Sequence, residues 1–239
     1  MLDRFHPPVE EYLETIFALE EEGIPVIQAR LAERLDKAAP SVSEMLDRLE
    51  SDDLITRSAR QITMTPKGVA LAEGVVRKHR LAERLLVDVI GLDWDKAHIE
   101  AGRWEHVISD DVEERLVALL GNPSTCPHGN PIPGSDTPAP EQRPLDETVP
   151  GETIRLERIT ESVEHESASL TYLGEHGLTP GITAVIQSKA PDGTLTLVVG
   201  ESTIALGPAM TARMFVAPAR DRPGRTHPRS GSRRVRRAR

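Results

Sequence analysis

The stretch QARLAERLDKAAPSVSEMLDRLESD, residues 28–52, decides the fold. Its first part sets Leu31, Ala32 and Leu35 on one side of a short helix over Gln28 to Leu35. Asp36-Lys37-Ala38-Ala39-Pro40 reads as a tight turn, and Pro40 suits the start of the next helix. That helix turns Val42, Met45, Leu46 and Leu49 inward and runs to about Asp52. Working outward, Tyr12, Leu13, Ile16, Phe17 and Leu19 predict a helix over Glu10 to Glu22, ended by Gly23 and Pro25. On the other side, Leu54 to Arg57 and Gln61 to Thr65 predict two strands joined by Ser58-Ala59-Arg60. Helix, helix, turn, helix and hairpin make a winged helix-turn-helix.

Beyond the hairpin, Pro66-Lys67-Gly68 opens a long helix reaching about Gly91. Two more follow, over Asp95 to Val107 and Ser109 to Leu120, with Ser109 as the N-cap of the second. Eight prolines between Pro123 and Pro150 read as an extended linker. Short β-type runs come next: Thr153 to Arg158, Thr183 to Gln187, Thr194 to Val199, Ser202 to Leu206 and Ala212 to Val216. Pro180-Gly181, Asp192-Gly193 and Gly200 punctuate them, and Leu170 to Gly174 reads as a helical turn. The expected class is α+β, mainly α. Residues 1–72 form the winged domain, 73–140 a helical domain, 141–150 a Pro-rich linker, 151–218 a small β-barrel and 219–239 an arginine-rich tail without a core.

Composition narrows the function. The net charge of −9 divides into about +8 over residues 220–239 and about −17 elsewhere. So acidic a body does not draw DNA by overall charge; it needs a local positive face or neutralisation by a cation. No stretch approaches the roughly 18 apolar residues of a membrane span, and no apolar run follows the first residues, so the default is a cytoplasmic protein. The lone Cys126 argues against an internal disulfide and against a cysteine-based zinc site.

Chemistry concentrates in Lys78-His79-Arg80-Leu81-Ala82-Glu83, followed by His98 and Glu105-His106. His79 and Glu83 lie four apart in a helix and face the same way. Imidazole and carboxylate together suit first-row divalent ions. A DNA-reading half beside such a set points to metal-controlled transcription. His6, His128, His165 and His176 fall in loops or termini and read as outside the ligand set.

These features resemble the diphtheria toxin repressor family of metal-dependent regulators. The resemblance rests on Pro40-Ser41-Val42-Ser43, Met64-Thr65-Pro66, the run from Arg77 to Leu86, Arg103-Trp104-Glu105-His106-Val107, Ser109-Asp110 and Gly129-Asn130-Pro131-Ile132-Pro133-Gly134. It covers about Glu10 to Pro218 and implies a homodimer built through the second domain, a palindromic operator and an SH3-like third domain. It also implies two metal sites per subunit. The ancillary site takes His79, Glu83 and His98, with Glu166 from the third domain and Ser169 where the family has an amide. The primary site takes Glu105 and His106, with Glu11 and the nearby Glu14 at the carboxylate positions of the manganese branch. Gly102 stands where the family has a ligand side chain and offers only its carbonyl. With sulfur ligands absent from these positions, Mn2+ is favoured and Fe2+ remains open.

On the recognition helix Ser41, Ser43 and Glu44 are expected to face base edges, with Pro40 against a thymine methyl. Arg30, Arg48, Arg57, Arg60 and Lys67 are candidate phosphate contacts, and each also reads as an ordinary surface charge. The expected switch is a tether: metal joins Glu11 to Glu105 and His106 and fixes two recognition helices about 34 Å apart. Two other readings stand beside it, a DNA-binding protein with a degenerate or structural metal site and a metal-dependent hydrolase.

Overall fold

The computed structural model describes residues 7–135 and 141–219. The arginine-rich tail from residue 220 and linker residues 136–140 lie outside the described residues. Helix α1 spans Pro7–Glu21, α2 Gln28–Arg34 and α3 Ala39–Ser51. Strands β1 (Ile55–Ser58) and β2 (Gln61–Met64) form the wing, paired Ile55 to Met64 through Ser58 to Gln61. Helix α1 starts three residues earlier than expected, because Pro7 and Pro8 fit a first turn that has no need of their N–H groups. Leu13, Ile16, Leu31, Val42, Leu46 and Leu49, inward residues that the helical periodicity marks, are buried in one cluster with Ile55 and Ile62 of the wing. Thr65 caps the next helix, its hydroxyl accepting from the Gly68 N–H at 3.1 Å, a contact worth about 1 kcal/mol.

Helix α4 runs Pro66–Arg84 and passes into a π-helical turn over Leu85–Ile90, ended by Gly91 at φ +79°. Helices α5 (Trp94–Trp104) and α6 (Asp110–Leu120) pack on α4, and Ser109 caps α6 as expected. Helix α5 ends at Trp104, so Glu105 and His106 stand in the turn beyond it rather than inside a helix. Val89, Ile90, Ile99, Val107, Val112 and Leu119 are exposed on this helical layer, Val107 at 67% and Leu119 at 62%.

The described part of the proline-rich segment corrects the expected extended linker. Residues 122–135 fold back, with Cys126, His128, Asn130 and Ile132 buried. Arg77, Arg80 and Arg84, at helical spacing on α4, donate to the carbonyls of Pro133 (2.6 Å), Pro131 (2.5 Å) and Thr125 (2.6 Å). The guanidinium groups thereby satisfy backbone carbonyls of the folded-back loop.

The third part contains β3 (Arg143–Pro144), β4 (Thr153–Ile159), α7 (Glu161–Glu164), α8 (Ser167–Glu175), β5 (Thr183–Lys189), β6 (Leu195–Val199), β7 (Ser202–Leu206), α9 (Pro208–Thr211) and β8 (Met214–Pro218). Its antiparallel sheet has the order β3-β8-β4-β5-β6-β7. Among the described residues β3 and β7 are edges that do not pair, so the expected barrel is an open, SH3-like sheet. Gly129 matters here: at φ +89°, any Cβ would meet the Glu157 carbonyl at 1.9 Å. Glu157 sits at an irregularity of β4 against β8, and the Ile159 N–H donates to the His128 carbonyl at 2.9 Å. Glycine alone lets this loop lie against β4 and hold His128 in place.

Candidate metal centre

One helical turn on α4 brings His79 and Glu83 together, and α5 adds His98. His79 Nε2 lies 3.3 Å from Glu83 Oε1 and 3.0 Å from His98 Nδ1, and His98 Nδ1 lies 3.3 Å from Glu83 Oε1. All three are buried, and the structure brings this expected trio together.

The remaining partners differ from expectation. Glu166 and Ser169 stand apart from the trio: the Glu166 carboxylate is exposed, takes the Ser169 hydroxyl at 3.0 Å and faces Arg213 at 3.6 Å. Glu164 takes the inward place, with Oε2 3.1 Å from His98 Nδ1 and 3.2 Å from His128 Nδ1. The single turn α7 sets this register, since it points residue 164 into the core and leaves residue 166 at the start of α8. The folded-back loop supplies His128, 3.3 Å from Glu83 Oε1, and buried Cys126. The donor atoms of Glu83, Cys126 and His128 all lie within 4.8 Å of one another. The lone cysteine therefore does join a possible ligand group, made of mixed donors rather than several thiols. The signal available in the sequence was Cys126-Pro127-His128, soft and borderline ligands two residues apart.

This buried group fits a divalent cation. Glu83 Oε2 is buried without a hydrogen-bond partner, a cost of about 1–3 kcal/mol that a bound ion removes. Burial works to raise the Glu83 and Glu164 carboxyls, but the facing histidines, His128 foremost, hold Glu83 well below the usual range and Glu164 below it. Burial also works to lower His98, yet its hydrogen bonds to Glu164 and Glu83 raise it to about 9. Burial, reinforced by the Glu83 charge, pushes the Cys126 thiol up to about 11.

The second group lines a cavity of about 510 Å³ between α1, α4, α5 and α7. A hydrogen bond joins His79 Nδ1 to Glu105, and Glu14 Oε1 stands 3.8 Å from the same nitrogen. His106 Nε2 is 3.1 Å from Glu105 Oε1, while its Nδ1 meets Glu10 Oε2 at 2.6 Å. Glu10 was not among the expected ligands. Glu11 lines the cavity, but its carboxylate pairs with Lys37 Nζ at 2.5 Å rather than with a histidine. Helix phase explains this, because Glu10 and Glu14 share a face and Glu11 lies about 100° round from Glu10. Burial and the neighbouring Glu105 and Glu161 push the Glu14 carboxyl well above its ordinary value, against the opposing charges of His79 and His98. An added Cβ at Gly102 would meet nothing within 4 Å. Glu161 and His165 of the third part line the same cavity. Burial, with the charge of His98, lowers His165 to about 4 and leaves its ring neutral.

On α3, Pro40, Ser41, Glu44 and Arg48 are exposed and Ser43 is half-buried. Arg57 is tied back onto α3, with Nη2 2.7 Å from Asp47 and 2.5 Å from Glu50. Lys67 donates to the Asp52 carbonyl at 2.6 Å, and Arg48 faces Asp52 at 3.7 Å. Arg30 lines a cleft shared with Arg34, Ser162 and Arg213 rather than the face of α3. Arg60 lines a groove with Gln28 and Gln61 and makes no side-chain hydrogen bond or ion pair among the described residues.

Comparison with known proteins matches each part. The profile of the iron-dependent repressor N-terminal DNA-binding domain matches residues 4–61. The iron-dependent repressor metal-binding and dimerisation domain matches residues 65–134, and the FeoA domain matches residues 143–218. The chain is 44% identical over 209 residues to the iron-dependent repressor IdeR of Mycobacterium tuberculosis, covering 82% of this chain and 91% of that protein. It is 46% identical over 198 residues to the diphtheria toxin repressor of Corynebacterium diphtheriae, covering 79% and 87%. A solved manganese-dependent transcriptional repressor in complex with manganese superposes with a TM-score of 0.79 at 29% identity, over 88% of this chain and 100% of the other.

Proposed function

Because this chain belongs to the iron-dependent repressor family that includes the diphtheria toxin repressor, we propose that it is a metal-dependent DNA-binding transcriptional repressor controlling metal homeostasis. It is a regulator rather than an enzyme, and acts in the cytoplasm. No described helix is long and apolar enough to cross a membrane. Its partners are a second copy of the chain, an operator duplex and a divalent ion.

The observation that carries the reading is the junction between α1 and the helical layer. Glu10 and Glu14 come from the helix that supports α2 and α3. His79, Glu105 and His106 come from the layer whose exposed Val107, Val112 and Leu119 suit burial against a second copy. Glu14, His79, Glu105 and His106 are the proposed ligands of the cavity site, with Glu10 and Glu11 beside them and the Gly102 carbonyl within the same wall. Glu83, His98, Cys126, His128 and Glu164 form the proposed buried site, which shares His79 with the cavity through its Nε2.

When bound, a divalent ion supplies positive charge and directional bonds at these carboxylates and imidazoles. Oxygen and nitrogen donors in the cavity favour Mn2+, with Fe2+ also accommodated. Glu14 and Glu105, held together, fix α1 against α4 and α5, and α1 carries α2 and α3 with it. DNA binding responds because the fixed arrangement holds the ion better than the loose one does. Ser41, Ser43, Glu44 and Pro40 then face the bases, with Arg60, which makes no ion pair among the described residues, a phosphate contact. Glu105→Ala tests this assignment: metal-dependent operator binding disappears, whereas full retention of the metal response contradicts it.

A further inference from the structure

We propose that the buried group holds two divalent ions rather than one, with Glu83 as the carboxylate that bridges them. One ion belongs to His79 and His98. The second, an ion of the zinc class, belongs to Cys126 and His128 of the folded-back loop. This deepens the reading of the buried group as a metal site and rests on it.

Two sets of buried donor atoms meet at Glu83, each set lying within 4.8 Å of one another. His79, Glu83 and His98 make one set; Glu83, Cys126 and His128 make the other. Donors on one tetrahedral ion, at bond lengths of about 2.0–2.3 Å, stand roughly 3.3–3.6 Å apart. His79 Nε2, His98 Nδ1 and His128 Nδ1 each lie 3.3 Å from the same atom, Glu83 Oε1. A carboxylate oxygen has two lone pairs, so it cannot serve all three imidazoles. The other oxygen, Oε2, is buried without a hydrogen-bond partner. A carboxylate that holds one ion on each oxygen uses both atoms and divides the imidazoles between two centres.

The loop presents its two donors in ligand form. His128 Nε2 lies 3.0 Å from the Trp94 carbonyl. A carbonyl only accepts, so Nε2 carries the proton and the neutral ring turns a bare Nδ1 toward Glu83. Such a backbone acceptor fixes the tautomer and orientation of a ligating imidazole. A tight turn brings Cys126 alongside: the Gly129 N–H donates to the Cys126 carbonyl at 3.0 Å, and the Cys126 N–H to the Asn130 carbonyl at 2.8 Å. Arg84 of α4 holds the same turn, Nη2 donating to the Cys126 carbonyl at 3.1 Å. Sulfur, imidazole and carboxylate together suit Zn2+, whereas the sulfur-free set suits Mn2+ or Fe2+.

The test counts ions in the full chain. Metal-free protein is loaded with Zn2+ or Co2+ and read by native mass spectrometry and absorption, comparing wild type with Cys126→Ala, Cys126→Ser, His98→Gln and Glu83→Gln. Each Cys126 variant and His98→Gln should lose one ion per chain, and Glu83→Gln should lose two. The cobalt–thiolate band should survive in His98→Gln and vanish in both Cys126 variants. Metal-free circular dichroism checks the fold of each variant, and Cys126→Ser, which exchanges one atom, decides the count if the others unfold. If both Cys126 variants bind as many ions as wild type and Glu83→Gln loses only one, a single ion fills the group and this inference fails alone. If Glu83→Gln binds as many ions as wild type and wild type shows no cobalt–thiolate band, the metal reading of the buried group fails with it.

Discussion

Glu10 of α1 and His106 beyond α5 meet at 2.6 Å across 96 positions of sequence. That hydrogen bond, with Glu105 3.1 Å from the other ring nitrogen of His106, ties the DNA-reading part to the helical layer.

His79 is shared between the two groups, with Nδ1 toward Glu105 and Nε2 toward Glu83 and His98. His79→Ala should weaken both sites, each on the order of 10–100-fold, whereas Glu14→Gln should weaken the cavity site alone. Calorimetric Mn2+ titrations read the two phases. An intact buried-site phase in His79→Ala contradicts the shared role.

Cys126 gives the buried site its one soft donor. Cys126→Ser should abolish the cobalt–thiolate absorption and lower Zn2+ affinity by roughly 10–100-fold, with the Mn2+ affinity of the cavity unchanged. A thiolate band that survives the substitution would place Cys126 outside the site.

Gly102 leaves open space at the cavity wall. Gly102→Glu should bring a carboxylate into it and tighten Mn2+ binding roughly tenfold, or about 1.4 kcal/mol. No change in affinity would mean that the cavity is not short of a ligand.

His98, raised to about 9 in the metal-free protein, sets the sign of the pH response. Its folded pKa lies above the ordinary value, so its stabilising contribution is complete below about pH 6.5 and is lost as pH rises through about 9. Metal binding runs the opposite way, because the ligand must shed its proton. Affinity should therefore rise between about pH 6.5 and 9, with proton uptake by buffer detectable in calorimetry across buffers of different ionisation enthalpy. A flat profile over that window contradicts the assignment.

Arg57 and Arg60 should separate on DNA. Arg60→Ala should lower the slope of log affinity against log salt by about 1, as expected for one lost phosphate contact. Arg57→Ala should leave the slope unchanged, because Asp47 and Glu50 already hold that guanidinium. The reverse order would show that Arg57 leaves α3 to meet the backbone.

The winged helix-turn-helix was legible because its helices are amphipathic and its turn residues mark their ends, a local code. The trio His79, Glu83 and His98 was legible for a similar reason: one pair lies a single turn apart, and the family motif supplied the third. Long-range placement was not legible. Three glutamates crowd the start of α1, and only packing decides that Glu10 and Glu14 face the histidines while Glu11 turns to Lys37. Glu164 displaces Glu166 because a four-residue turn sets the register after β4. The prolines of residues 122–135 read as an extended tether, yet three arginines on α4 collect their carbonyls and carry Cys126 and His128 into the core.

The most direct test of the central claim is fluorescence anisotropy of a labelled family-type palindrome against metal-free protein, titrated anaerobically with Mn2+ and, separately, Fe2+. Operator binding that appears with metal and is reversed by a chelator is the predicted result. Equal binding with and without metal would contradict the account.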